Sequence, residues 1–180
     1  MAKTAKSKKA KGFRLEKKIA EEYRRIGIEA RRMPLSGAIS HMKSDIWKKT
    51  RDGWSDECKN AETVKLKEWW AQARRDASTY NKPVLHVSAN YRPIISIISV
   101  DDYYNMLLTL EQSGQEFQHR QKKITKKRFN LWDEWSELWA EEGYGDPIML
   151  IEKYAPEDLV VMQVEHYFEL RDCLNHAKIR

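Results

Sequence analysis

Over residues 12–26, Leu15, Ile19, Tyr23 and Ile26 recur at spacings of three and four, while Lys17, Lys18, Glu21, Glu22, Arg24 and Arg25 fill the other positions. This is the pattern of an amphipathic helix, and Gly27 follows it as a C-cap. Three extended segments come next, at 28–33, 44–48 and 54–60, with a Ser/Gly-containing loop at 34–41. Thr50-Arg51-Asp52-Gly53 reads as a hairpin turn between the second and third segments. Residues 63–80 return to helical spacing, with Val64, Leu66, Trp69, Trp70, Ala73 and Ala77 inward, and Asn81-Lys82-Pro83 ends that helix. Residues 84–89 and 94–100 are apolar and β-branched, as strands require. A helix over 101–110 is predicted to start with Asp101 or Asp102 as its N-cap.

The resulting order, α-β-β-β-α-β-β-α, predicts an α/β fold in which helices flank a mixed sheet. Beyond residue 112 the character changes. Residues 115–128 are polar and basic, 129–142 form a tryptophan-rich helix, and 157–177 are predicted as a longer helix offering Leu159, Met162, Val164, Tyr167, Leu170 and Leu174 for packing. The division expected from sequence is a disordered lysine-rich tail at 1–11, a core at 12–112 and an α-helical extension at 113–180.

Charge sharpens this picture. The 180 residues carry a net charge of +6, but residues 1–59 hold 17 Lys/Arg against 8 Asp/Glu, whereas residues 60–180 hold 16 against 19. The basic half would attract a polyanion, and nucleic acid is the natural partner. Anionic lipid is a weaker candidate, because no basic stretch carries a strong apolar face. A second basic cluster, Arg120, Lys122, Lys123, Lys126, Lys127 and Arg128, interrupts the acidic half as a solvated face or a second nucleic-acid contact. No apolar run approaches the ~20 residues of a membrane span, and the lysine-rich start lacks a secretory signal's apolar segment. Cys58 and Cys173 form no framework and read as buried thiols in a reducing cytoplasm.

The candidate chemistry lies in Ser-Asp-Ile-Trp at 44–47 and Glu-Cys-Lys at 57–59. Strand side chains alternate, so Glu57 and Lys59 share a face while Cys58 points to the other. Pairing across the Asp-Gly turn can bring Asp45 beside Glu57, giving two carboxylates and an ammonium on one patch. Metal-dependent phosphodiester hydrolysis uses such a trio: hard oxygens hold Mg²⁺, and a lysine orients water or stabilises developing charge. A surface salt bridge is the simpler alternative. Glu16 shares the inward stripe with Ile19, Ala20 and Tyr23, where a carboxylate is costly unless paired or liganded, although a first-turn glutamate is also favoured by the helix dipole.

Five segments carry a family resemblance: Gly12-Phe13-Arg14-Leu15-Glu16, Gly27-Ile28-Glu29-Ala30-Arg31-Arg32, Pro34-Leu35-Ser36-Gly37-Ala38, Ser44-Asp45-Ile46 and Glu57-Cys58-Lys59-Asn60. In this order they resemble the archaeal-type Holliday junction resolvases of the PD-(D/E)xK nuclease superfamily, over residues 12 to about 100. The resemblance implies a restriction-endonuclease-like core and a Mg²⁺- or Mn²⁺-dependent endonuclease that resolves four-way DNA junctions as a homodimer in recombination and repair, in the cytoplasm or nucleoid. It makes Asp45 and Glu57 the principal metal ligands, Glu16 an assisting one and Lys59 the catalytic lysine. Ser36 would lie near the scissile phosphate, and Gln72 matches the superfamily's downstream glutamine. Arg31 and Arg32 would contact phosphates beside Ser36; Arg14, Lys43 and His41 are further candidate DNA contacts, a solvated loop histidine being the alternative for His41. Ser44 replaces the proline of the superfamily's name, and residues beyond about 112 match nothing in those resolvases. Related nucleases acting on other DNA, or a non-catalytic DNA-binding protein, remain the alternatives.

His86 alternates with Leu85 and Val87 and reads as a packed histidine. Glu165 and His166 lack the HExxH spacing, so no zinc site is predicted there. Trp132, Trp135 and Trp139 follow helical spacing and read as core or interface rather than as a base-stacking stripe.

Overall fold

The computed structural model describes residues 5–33, 44–50, 52–77, 81–126, 128–141, 143, 145–152, 154 and 156–177. The chain is mixed α/β and divides into two compact units, residues 1–94 and 95–180.

The first unit holds α1 (Ala5–Arg25), β1 (Ala30–Arg32), β2 (Ile46–Lys48), β3 (Trp54–Asn60), α2 (Leu66–Asp76) and β4 (Lys82–Ser88). Helix α1 begins at Ala5 rather than after a disordered tail ending at residue 11, and the Lys11 ammonium hydrogen-bonds the Asn90 side chain. The α1 stripe of Leu15, Ile19, Tyr23 and Ile26 is buried as its spacing predicts. Strands β3 and β4 are parallel, with Glu57 opposite Leu85 and Cys58 opposite His86, and α2 connects them. The expected hairpin ladder between β2 and β3 does not form. β2 pairs antiparallel with β1, while Asp45, just before it, donates its N–H to the Asp56 carbonyl at 2.8 Å. Gly53 (φ 78°) supplies the left-handed turn before β3.

Alternation in β3 separates two chemistries. Asp56 meets Tyr23 of α1 on one face, and Glu57 and Lys59 meet Gln72 of α2 on the other.

The second unit holds β5 (Ile95–Ser99), α3 (Val100–Gln112), β6 (His119–Ile124), α4 (Leu131–Ala140), β7 (Asp146–Ile151), β8 (Leu159–Gln163) and α5 (Val164–Ala177). Its strands run in the order β5-β8-β7-β6, with β6 and β7 parallel and the other pairings antiparallel. The α-helical extension expected from sequence is therefore corrected: residues beyond 112 contribute three strands. Leu159-Val160-Val161-Met162 is a continuous apolar run bounded by polar residues, and buried strands share that pattern with buried helices. All four side chains are at most 1% exposed, so the run occupies an inner strand and helix α5 starts only at Val164. The α3 cap is Ser99, not Asp101 or Asp102: its hydroxyl accepts the Asp102 N–H at 3.1 Å and donates to the Asp102 carboxylate at 2.8 Å.

Trp132 and Trp135 are buried in this unit, whereas Trp139 is about half exposed. Gly145 (φ 88°) precedes β7, and a Cβ there would lie 2.7 Å from the Gln118 carbonyl oxygen. Gly145→Ala is accordingly expected to destabilise the protein by roughly 1–2 kcal/mol through the left-handed backbone alone, and by more if Gln118 cannot shift. Urea unfolding reads this directly, and an unchanged midpoint would remove the constraint.

Candidate active site

Glu57, Lys59 and Gln72 form a closed polar triangle. The Lys59 ammonium lies 2.5 Å from Glu57 Oε1 and donates to Gln72 Oε1 at 3.0 Å, and Gln72 Nε2 donates to the same Glu57 oxygen at 3.0 Å. The Glu57 side chain is 7% exposed and that of Lys59 24%, so the carboxylate is held inside while the ammonium reaches the surface. Position 72 faces β3 because Leu66, Trp70 and Ala73 bury the inner side of α2.

Asp45 joins the triangle through the backbone: its Oδ2 accepts the Cys58 N–H at 2.8 Å. Ser44 fixes this corner, with its hydroxyl accepting the Asp56 N–H at 3.0 Å and donating to the Ile46 carbonyl at 3.0 Å. A proline would make neither bond; the serine ties the β2 approach to β3 instead.

The electrostatics record a crowd of negative charge. Burial, then the charge of Asp45, pushes the Glu57 carboxyl up to about 7 against the pull of Lys59. Burial also raises the Glu16 carboxyl, with Asp45 adding to the rise and Arg32 opposing it. Burial, then Asp45, lifts the Cys58 thiol well above its usual value, which keeps it an unreactive thiol.

Glu16 is ion-paired with Arg32, whose guanidinium also stacks 4.8 Å from the Phe13 ring centroid. Arg31 is exposed and stacks 4.6 Å from the Trp47 ring, and Arg14 is exposed on α1. Ser36, His41 and Lys43 lie outside the described residues. In the second unit, carboxylates accompany the basic cluster: Lys122 contacts Glu134 and Glu137, Lys123 contacts Glu152 and Lys126 contacts Glu134.

The family model described as "Phage putative PDDEXK endonuclease" matches residues 7–143. The chain belongs to this family. Membership in this phage PDDEXK endonuclease family supports the PD-(D/E)xK superfamily without singling out the archaeal-type resolvases. The match contains Glu16, Asp45, Glu57, Lys59 and Gln72, and it runs past about residue 100, where the sequence resemblance ends. No curated protein and no solved structure matches the chain.

The sequence reading of this PDDEXK family member missed the other face of β3. Asp56, with a fully buried side chain, accepts from Tyr23 at 2.8 Å and from Lys48 at 2.7 Å, and it lies 3.1 Å from His86 Nε2. Lys48, 6% exposed, also reaches Asp52 at 3.0 Å and the Trp54 carbonyl at 2.9 Å. Burial alone would raise the Asp56 carboxyl, but the Lys48 charge and the bonds from His86 and Lys48 hold it far below the usual carboxylate range. The available signal was the alternation itself: a carboxylate one residue from Glu57 must face the α1 side, where it needs partners.

Proposed function

We propose that this chain is a divalent-metal-dependent endodeoxyribonuclease whose chemistry runs through Asp45, Glu57 and Lys59. The carrying observation is the Glu57–Lys59–Gln72 triangle beside Asp45. A decorative surface ion pair needs neither a buried glutamate nor a glutamine contacting both partners.

The donor set fits a hard dication. Asp45 raises the carboxyls of both Glu16 and Glu57, and a bound cation would relieve that repulsion. Asp45 and Glu57 would hold Mg²⁺ or Mn²⁺ with water completing the shell, and Glu16 would assist from α1. When bound, the ion supplies charge stabilisation at the phosphate and a more acidic water. Gln72 holds Lys59 in one place, so the ammonium donates toward the developing phosphate charge or the attacking water without first reorganising. Ser36, Arg14, Arg31, Arg32, His41 and Lys43 are proposed to approach the DNA, with salt-sensitive binding following from the basic first unit.

The motif series from Gly12 to Asn60 supports the four-way junction as substrate and a two-fold dimer that cuts opposing strands. The test is cleavage of a labelled four-way junction beside a duplex of the same sequence, with Mg²⁺, Mn²⁺ or EDTA. Paired, metal-dependent cuts confined to the junction are expected. Equal cutting of the duplex would retain the nuclease and reject the junction. No cutting of either DNA under any divalent ion would reject the nuclease.

Glu57 makes metal binding pH-dependent. Its folded value near 7 lies above the ordinary 4.5, so the metal-free folded chain binds a proton there that the unfolded chain has released. Stability of the chelator-treated protein should therefore fall as pH rises from about 4.5 to about 7, and Glu57→Gln should flatten that slope. Conversely, Mg²⁺ affinity should climb up to tenfold per pH unit below 7 and level off above it, with proton release on binding. Calorimetry in two buffers of different ionisation enthalpy measures the released proton; a pH-independent affinity would disprove the coupling.

A further inference from the structure

Within the second unit, His166 presents an unusual arrangement. Its ring is 3% exposed, yet neither ring nitrogen has a hydrogen-bond partner. Nδ1 lies 3.0 Å from Asp146 Oδ2, an ion-pair distance without hydrogen-bond geometry. Glu169 brings a second carboxylate, and one donor atom from each of Asp146, His166 and Glu169 lies within 4.8 Å of the others. Among the described residues this is the only group of three or more such donors so close together.

The placement follows from the fold. His166 and Glu169 stand three residues apart on α5, so they share one face of the helix. Asp146 opens β7, directly across the parallel register from His119 of β6. His119 Nδ1 lies 3.3 Å from the Tyr103 hydroxyl, and the Phe117 ring stands edge-on to His166, 6.4 Å between centroids. The imidazole is thus walled in on its apolar side, while both carboxylates are exposed. A buried imidazole without hydrogen-bond partners is costly. Coordination satisfies one nitrogen where the local protein supplies no hydrogen bond.

We propose that Asp146, His166 and Glu169 bind a divalent first-row transition metal of the Zn²⁺ class, tying the start of β7 to α5. One imidazole nitrogen with two carboxylate oxygens suits Zn²⁺, whereas Mg²⁺ and Ca²⁺ favour all-oxygen shells. Three protein donors leave a position of a four-coordinate ion to water. The spacing of Glu165 and His166 does not announce the site, because the third donor arrives from a strand twenty residues earlier. The site is separate from the Asp45–Glu57 pair and does not depend on the nuclease proposal.

The test uses the full chain carrying Asp45→Asn, which disables the other candidate metal position. Zn²⁺ is measured by equilibrium dialysis with elemental analysis, and Co²⁺ by its visible absorption. One Zn²⁺ per chain is expected, together with intense four-coordinate Co²⁺ bands. Glu169→Gln and Asp146→Asn, both at exposed carboxylates, should each weaken binding at least about tenfold without changing the circular dichroism. Substoichiometric Zn²⁺, weak six-coordinate Co²⁺ bands, or binding that survives both substitutions would overturn the assignment.

Discussion

Lys59→Met is expected to slow DNA cleavage by roughly 10²–10³-fold, the loss typical of removing one preorganised donor to transition-state charge. Its ammonium is held between Glu57 and Gln72, so wild type spends no reorganisation on it at the moment of reaction. Methionine keeps the length and apolar stem of lysine while removing the charge. Folding and DNA binding should therefore persist, and single-turnover cleavage beside a gel-shift titration separates the two effects. Gln72→Leu should lose less, roughly tenfold, because it leaves Lys59 present but less constrained. If Lys59→Met cleaves at nearly the wild-type rate, the ion pair is structural and another group does the chemistry.

Asp56→Ala is expected to destabilise the protein by about 3–5 kcal/mol, the usual cost of stripping one partner from a buried ion pair. The substitution strands Lys48, 6% exposed, and removes the acceptor of Tyr23 and the partner of His86. Against a typical total of about 5–15 kcal/mol, that is a large share. The double change Asp56→Leu with Lys48→Met removes both charges together and should recover much of the loss, which denaturant titration of the single and double variants can measure. A loss below about 1 kcal/mol in the single variant would mean that water replaces the carboxylate. The same group shapes acid stability. Because its folded pKa is depressed, its stabilisation is complete above the ordinary 3.8 and is lost as pH falls toward the folded value.

The sequence was most legible where one periodicity dominated. The α1 stripe, the order of the first eight elements and the shared face of Glu57 and Lys59 follow from 3.6- and two-residue spacing, and Gln72 was reachable through resemblance. Legibility failed where a local pattern has two readings or a contact is non-local. Leu159–Met162 satisfies a buried strand and a buried helix equally, and only burial in the second unit decides between them. Ser99 stands two residues before Asp101, so three oxygen-bearing side chains compete for one cap, and only its hydroxyl is positioned to accept the orphan N–H. Lys48, the last residue of the short 44–48 segment, is committed to Asp52 and Asp56, a pairing that no spacing rule links to Tyr23 and His86.

The neighbouring acids of β3 give the fold a means of error-checking its own reading frame. A slip of one residue against β4 that brings Glu57 to the place of Asp56 would drive it into the socket shaped by Tyr23, Lys48 and His86, carry Lys59 to that same face, and turn Asp56 toward α2 with no lysine beside it. The intruding glutamate is one methylene longer than the aspartate the socket holds, and Gln72 loses both Lys59 and Glu57 as partners. Misalignment is therefore penalised on both faces at once, by the interior before any substrate arrives. A single-residue insertion or deletion between Gly53 and Asp56 would show itself as a folding defect before it showed itself as a catalytic one.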